Sequence, residues 1–308
     1  MKKNNNVKNR ILRASAGLLL AAFFFIAGCG GNADTNSDLP DRAVTPVVLT
    51  PEASGTETLG NDKATVDVSN ISDGYVMVKY DGDNPKVKLR VTSQKTYDYD
   101  LSIGKYEAFP LNEDSGTYKF EIYESIPGEE DKYTLLFSGE KEAVIDNPLL
   151  PYLYPNQYVD FNAQTKAVTA TPEIVQGSKT DMDVIEKVYH YVTNNFAYDY
   201  DKAGVVESGY LPVLDEVWDA KKGICFDYAA VMTAMLRTQD IPAKLVIGYV
   251  DTNLYHAWLD VYTEEEGWID NAIYFDGDDW SLMDPTLAST GEVNYEDEGS
   301  LYSPMYYY

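Results

Sequence analysis

The stretch Gly223-Ile-Cys-Phe-Asp-Tyr-Ala-Ala-Val-Met-Thr-Ala-Met-Leu-Arg-Thr-Gln-Asp-Ile-Pro-Ala-Lys-Leu-Val-Ile-Gly-Tyr249 decides how the chain is read. Ala229, Met232, Thr233 and Leu236 recur at helical spacing, and alanine and leucine favour the helix. Arg237 suits a C-terminal turn, and Pro242 forbids continuation. The apolar run Lys244–Val250 then reads as a strand. One helix feeding directly into strands points to an α+β domain. Cys225 stands at the start of that helix, where unsatisfied amides and partial positive charge stabilise a thiolate. A buried structural thiol is the plainer alternative.

Upstream of this helix the pattern stays helical. Thr180 and Asp183 have capping-box spacing, with Val184, Ile185, Val188 and Val192 on one face behind them. Leu211-Pro212 opens a short helix with Val213, Leu214, Val217 and Trp218 inward, and Gly223 is expected to stop it. Downstream, His256–Tyr262, Gly267–Phe275 and Trp280–Met283 read as antiparallel strands, the last two joined through Asp276-Gly277.

From Lys63 to Ile145 the period is two. Val87, Leu89 and Val91 alternate with Lys88 and Arg90; Tyr118, Phe120 and Ile122 alternate with Lys119 and Glu121. Short alternating strands between turn signals predict an antiparallel β-sandwich able to fold by itself. The expected organisation is a leader over 1–28, a flexible tether over 29–61 and a β-sandwich-like domain over 62–147. A connecting segment over 148–177 and an α+β domain over 178–308 follow.

The leader rests on Lys2, Lys3, Lys8, Arg10 and Arg13 ahead of an apolar run from Ala16 to Ala27, the pattern of a secretory signal. Ile26-Ala27-Gly28-Cys29 resembles the lipobox of bacterial lipoproteins. That resemblance implies an acylated Cys29 and an exported protein held at the bacterial cell membrane, facing outward. The tether, rich in Thr, Asp, Pro and Gly, would reach on the order of 30 Å as a flexible coil. The net charge of −26 argues against nucleic acid and against docking by charge on anionic lipid.

The chain has two cysteines. Acylation would consume Cys29 and leave Cys225 alone, which in an exported protein suggests a reactive thiol or an intermolecular bridge. A nucleophilic thiolate needs a histidine for proton transfer, and only His190 and His256 are present. His190 lies away from the Val184–Val188–Val192 face, which suits a rim residue. His256 begins a strand that could lie beside the cysteine-bearing helix. A carboxylate that orients the histidine could be Asp284 at the end of the last strand, with Asp270 and Asp260 as competitors.

Taken together, Gly223-Ile-Cys225-Phe-Asp-Tyr-Ala, Leu236-Arg237, Ile241-Pro-Ala-Lys244, Gly248-Tyr249, His256-Ala-Trp258-Leu-Asp-Val-Tyr262, Trp280 and Asp284-Pro-Thr286 resemble the transglutaminase-like superfamily. The resemblance spans about the last 130 residues. It implies a papain-like Cys-His-Asp triad on Cys225, His256 and Asp284, with the Cys225 backbone N–H as first oxyanion donor, and no metal or other cofactor. Lys244 stands where arginine is frequent, and the insert before Asp284 is longer than in compact members, which keeps Asp270 in contention. The implied activity is attack on peptide or protein amides through a thioester, with hydrolysis favoured over crosslinking. The alternative is a non-catalytic module that binds protein or cell-wall ligands.

Overall fold

The computed structural model describes residues 39–250, 254–270, 273–275, 280–282 and 302–308. The leader, Cys29 and Asp284 lie outside these residues. Leu39–Tyr308 forms one compact unit.

The first half is a β-sandwich. Its strands are β1 (Thr58–Gly60), β2 (Ala64–Asp67), β3 (Tyr75–Tyr80), β4 (Val87–Thr92), β5 (Thr96–Asp100), β6 (Tyr106–Pro110), β7 (Gly116–Ser125) and β8 (Tyr133–Ala143). They form two antiparallel sheets, ordered β1-β2-β3-β6 and β5-β4-β7-β8. The period-two stripes explain the pairing. Val87, Leu89 and Val91 of β4 and Tyr118, Phe120 and Ile122 of β7 are all buried, while Lys88 and Arg90 face out and pair with Asp100 and Asp98. Alternation puts one set of side chains on each face, so the apolar faces of both sheets meet in the core.

Residues 39–61 run as an extended strap from Leu39 onward, not as loose tether. The Arg42 and Val47 amides donate to the Ser178 and Thr238 carbonyls at 2.7 and 2.8 Å. The Arg42 guanidinium pairs with Asp181 at 2.9 Å. Farther along, the Gly55 amide donates to Asp67 at 2.6 Å, and β1 joins the sandwich sheet. Val44, Val48 and Leu59 pack against the core. The composition of the strap is that of a coil; what orders it is pairing with distant segments, which no local reading contains.

The second half is the α+β part. It contains α1 (Lys166–Ile174), α2 (Asp181–Asn195), β9 (Ala197–Tyr198), α3 (Tyr200–Ala203), α4 (Leu214–Ala220), β10 (Lys222–Gly223) and α5 (Cys225–Arg237). The strands β11 (Ala243–Val250), β12 (Leu254–Thr263), β13 (Gly267–Ile269), β14 (Ile273–Phe275), β15 (Trp280–Leu282) and β16 (Tyr302–Tyr307) follow. The main sheet is antiparallel, ordered β13-β12-β11-β16. Within the strand expected over Gly267–Phe275, β13 pairs with β12, and among the described residues β14 pairs with β15.

Helix α5 is buried on every side from Asp227 to Arg237, so it is wider than the stripe its sequence suggests. It packs on α1, α2 and α4 on one side and on β11 and β12 on the other. The Thr180 capping box forms: Thr180 Oγ1 accepts from the Asp183 amide at 3.1 Å, and Asp183 returns to the Thr180 amide at 3.2 Å. Val184, Ile185, Val188 and Val192 face the core.

The end of α4 departs from expectation. Lys221, not Gly223, takes the left-handed cap, at φ 48°. Its Nζ lies 3.3 Å from the Trp218 ring centroid, a cation–π contact that helps hold it there. Val213 is 53% exposed at the start of α4 instead of turned inward.

The two halves share one buried cluster. Tyr308 joins them, stacked on Tyr158 at 3.7 Å and edge-on to Tyr97 and Tyr99 of β5 at 5.9 and 6.0 Å.

Candidate active site

Cys225 is the first residue of α5, free and half-buried. As the opening residue of the helix, it presents an amide that the helix itself leaves without an acceptor. Three residues hold it there. Asp227, fully buried in the first turn, accepts from the Ile224 amide at 2.8 Å. It also accepts from Lys202 Nζ at 2.7 Å and from Tyr210 Oη at 2.5 Å. A buried carboxylate needs such partners; Lys202 comes from α3 and Tyr210 from the segment between α3 and α4. Burial, and then the Asp227 carboxylate, push the Tyr210 phenol upward, so it remains a donor.

This network explains Gly223. A Cβ at that position would stand 2.6 Å from the Asp227 Cβ and 2.8 Å from its Oδ2. Glycine is there for close approach to the carboxylate, not to end α4. Gly223→Ala should therefore destabilise the fold by about 2–3 kcal/mol, through overpacking and displacement of Asp227. A urea midpoint that falls at constant slope would show it; an unchanged midpoint would mean that Asp227 moves aside freely.

His256 lies near the start of β12 and is 5% exposed. Across the ladder it faces Gly248 of β11. Gly248 is itself constrained, because a Cβ there would meet the Ser303 carbonyl at 2.3 Å and the Trp258 ring at 2.7 Å. Thus the glycine of the Gly248-Tyr249 pair lets β16 and Trp258 close on the strand next to the histidine.

Cys225 and His256 line one cavity of about 580 Å³. Its walls are strongly aromatic, with Tyr158, Phe226, Tyr255 and Tyr308 among them. Burial raises the Tyr255 phenol, and Cys225 is among the groups close enough to add to the rise. The sandwich also reaches this cavity, through Lys88, Asp98 and Asp100. Opposite, the tip of the segment between α3 and α4 brings Gly209 to the Asp100 carboxylate. The arrangement places a half-buried thiol and a buried imidazole on the walls of one cavity.

The other sequence candidates fall elsewhere. His190, on α2, is about half exposed and lies 3.6 Å from Glu186, one helical turn away. It does not line the cavity. Asp270 is exposed. The register that sets Val261 opposite Ile269 carries it to the level of Asp260, four residues along β12 from His256, or roughly 13 Å. Asp260 is buried opposite Lys244 of β11. Lys244 itself lies over the Trp268 ring at 3.6 Å, so the lysine that replaces a frequent arginine has an aromatic seat.

The sequence reading assigns no role to Asp227, Lys202, Tyr210 or Tyr158. An acid two residues after a helix-start cysteine is a first-turn cap, and that signal was available for Asp227. Nothing local announces the others.

Residues 168–285 match the family model of the transglutaminase-like superfamily, so this part of the chain is a transglutaminase-like domain. Over 138 residues the chain is 23% identical to YebA, an uncharacterised protein of Bacillus subtilis, covering 38% of this chain and 19% of that one. Over 68 residues it is 32% identical to a protein-glutamine gamma-glutamyltransferase of Pseudomonas aeruginosa, covering 18% and 10%. The chain thus spans a fifth or less of the length of these two relatives. A solved structure from Cytophaga hutchinsonii, described as a candidate cysteine protease, aligns over 81% of this chain and 78% of that one, with 14% identity and a TM-score of 0.35.

Proposed function

We propose that the protein is a surface-anchored cysteine enzyme that hydrolyses peptide or side-chain amides through a thioester. The observation that carries this reading is the shared cavity of Cys225, at the start of α5, and His256, on β12. The Cys225 thiolate attacks the amide carbonyl, and a carbon–sulfur bond forms. The carbon–nitrogen bond then breaks as His256 gives its proton to the leaving amine. The Cys225 backbone N–H stabilises the oxyanion between these steps. Water, deprotonated by His256, attacks the thioester; the carbon–sulfur bond breaks and the acid leaves. Asp284 would orient the imidazole. Hydrolysis is preferred over transfer because nothing in the sequence marks an amine-acceptor site.

The test is to incubate the protein with glutamine-containing and backbone-amide reporter peptides, with and without millimolar primary amine. Mass analysis of the products then distinguishes the outcomes. Cys225-dependent carboxylate as the main product, even with amine present, supports hydrolysis. Predominant amide formation with the added amine would make the protein a transferase. No Cys225-dependent product from any peptide would favour a binding module.

The anchoring part of the proposal rests on the charged start, the apolar run and Cys29. Cys29→Ala should move the protein from the membrane fraction to the soluble one. An intact mass that retains Met1 and an unmodified Cys29 would overturn it.

A further inference from the structure

A second cavity, of about 340 Å³, adjoins the one that holds Cys225. Gln157 and Leu211 stand in the walls of both. The second cavity is built mostly outside the family-matched residues. Val48–Pro51 come from the strap, Met77 from β3, Tyr106–Ala108 from β6 and Asn156–Gln157 from the connection. Only the segment leading into α4, Leu211–Val213, belongs to the matched part.

We infer that this cavity is a distal subsite for an extended polypeptide substrate, and that it recognises an apolar side chain several residues from the reacting amide. The inference rests on the proposed amide chemistry at Cys225, and it gives the sandwich and strap a task. Its first support is continuity: a chain whose amide lies at Cys225 reaches the second cavity past Gln157 and Leu211. Gln157 is fixed for this, since its Nε2 donates to the Asp100 carbonyl at 2.6 Å and to Glu107 at 3.3 Å.

The second support is the character of the walls. Val213 and Tyr106 are 53% and 39% exposed, and Pro51, Met77, Phe161 and Pro212 continue the apolar lining. Lys105 pairs with Glu107 at 3.3 Å, and Glu107 also accepts from Ser102. An apolar side chain therefore gains by entering, whereas an acidic one finds Lys105 already taken.

The third support is an unspent polar group. Asn156 is 5% exposed and gives its Oδ1 to the amides of Tyr158 and Val159, at 2.9 and 3.1 Å. Those two bonds fix which end of the amide is oxygen. Its Nδ2 is left without an acceptor among the described residues. A peptide backbone carbonyl supplies the missing acceptor.

The experiment compares blocked peptides that share one reacting amide. One set is minimal; the other extends for up to eight residues on either side, with leucine or serine at the distal positions. In the unmodified protein, kcat/KM should be about 10-fold or more higher for the long leucine peptides on one side than for the minimal ones. Val213→Glu and Tyr106→Glu should remove that advantage and leave the minimal peptides unaffected. Length-independent turnover overturns the inference while leaving the chemistry intact, as does an equal loss on short and long peptides in both variants. Binding of the long leucine peptide to Cys225→Ala protein, measured by anisotropy, covers the remaining case. Binding that Val213→Glu abolishes, with no turnover of any peptide, would keep the subsite and discard the amide chemistry. No binding and no turnover would overturn the subsite.

Discussion

Cys225→Ala is expected to lower amide turnover by about 10⁴-fold or more, since a lost nucleophile leaves only the binding and oxyanion contributions. Stability should move by less than about 1 kcal/mol, or a few degrees in Tm, because the thiol is half-buried and the change removes one atom. The combination is diagnostic. A structural thiol would show the reverse, with lost stability and retained turnover. The same reading predicts that native Cys225 reacts with iodoacetamide at pH 6 faster than the unfolded chain does. His256→Ala should abolish that excess reactivity along with turnover. Asp284→Ala should impair turnover more than Asp270→Ala, whose carboxylate sits four residues down the ladder from the histidine. His190→Ala should do little, as its side chain pairs with Glu186 outside the cavity. Equal alkylation rates for native and unfolded protein at pH 6 would remove Cys225 as nucleophile.

What was legible in the sequence was what short-range periodicity encodes. The period-two runs of β4 and β7 gave a sandwich, because alternation alone decides which side chains are buried. The Thr180–Asp183 spacing gave a helix start, because a cap is a contact between residues three apart. Cys225 and His256 could be nominated because helix starts and scarce histidines are local or countable facts. The missing pieces all depend on partners far along the chain. Residues 39–61 have the composition of a coil, yet Arg42 finds Asp181 and Val47 finds Thr238. Helix α1 hides behind Pro172, which sits inside it. Strand β16 carries Pro304 and six consecutive strand residues with no alternation to betray them; it exists because β11 offers an edge. Lys221 shows the same limit at one residue, since the rings over which its ammonium lies, Trp218, Phe196 and Tyr191, come together only in the fold.

Arg237→Ala should have the largest effect on stability, a loss of about 3–5 kcal/mol. The side chain is 1% exposed at the end of the helix that Cys225 begins. Burial pushes its pKa down to about 9, so it is still charged at neutral pH. The guanidinium spends that charge on backbone carbonyls. Nε and Nη2 donate to Ala243 at 3.0 and 2.8 Å, Nη1 to Tyr154 at 2.6 Å, and Nη2 to Tyr308 at 2.7 Å. These three carbonyls belong to the start of β11, to the connection that leads into Gln157 and Tyr158, and to the residue after β16. Each segment supplies part of the cavity wall, as Ile247, Tyr158 and Tyr308. Alanine would strip donors from three shielded carbonyls and leave the volume of a guanidinium empty. Arg237→Lys should recover less than half of the loss, since one ammonium cannot fork to three carbonyls in fixed directions. Arg237→Met separates the terms, refilling the volume and restoring no hydrogen bond. If methionine matches the unmodified protein in denaturant midpoint, packing alone holds this end of α5. If methionine falls with alanine, the fork is what ties the three walls together, and turnover should fall in both variants although Arg237 lines no part of the cleft.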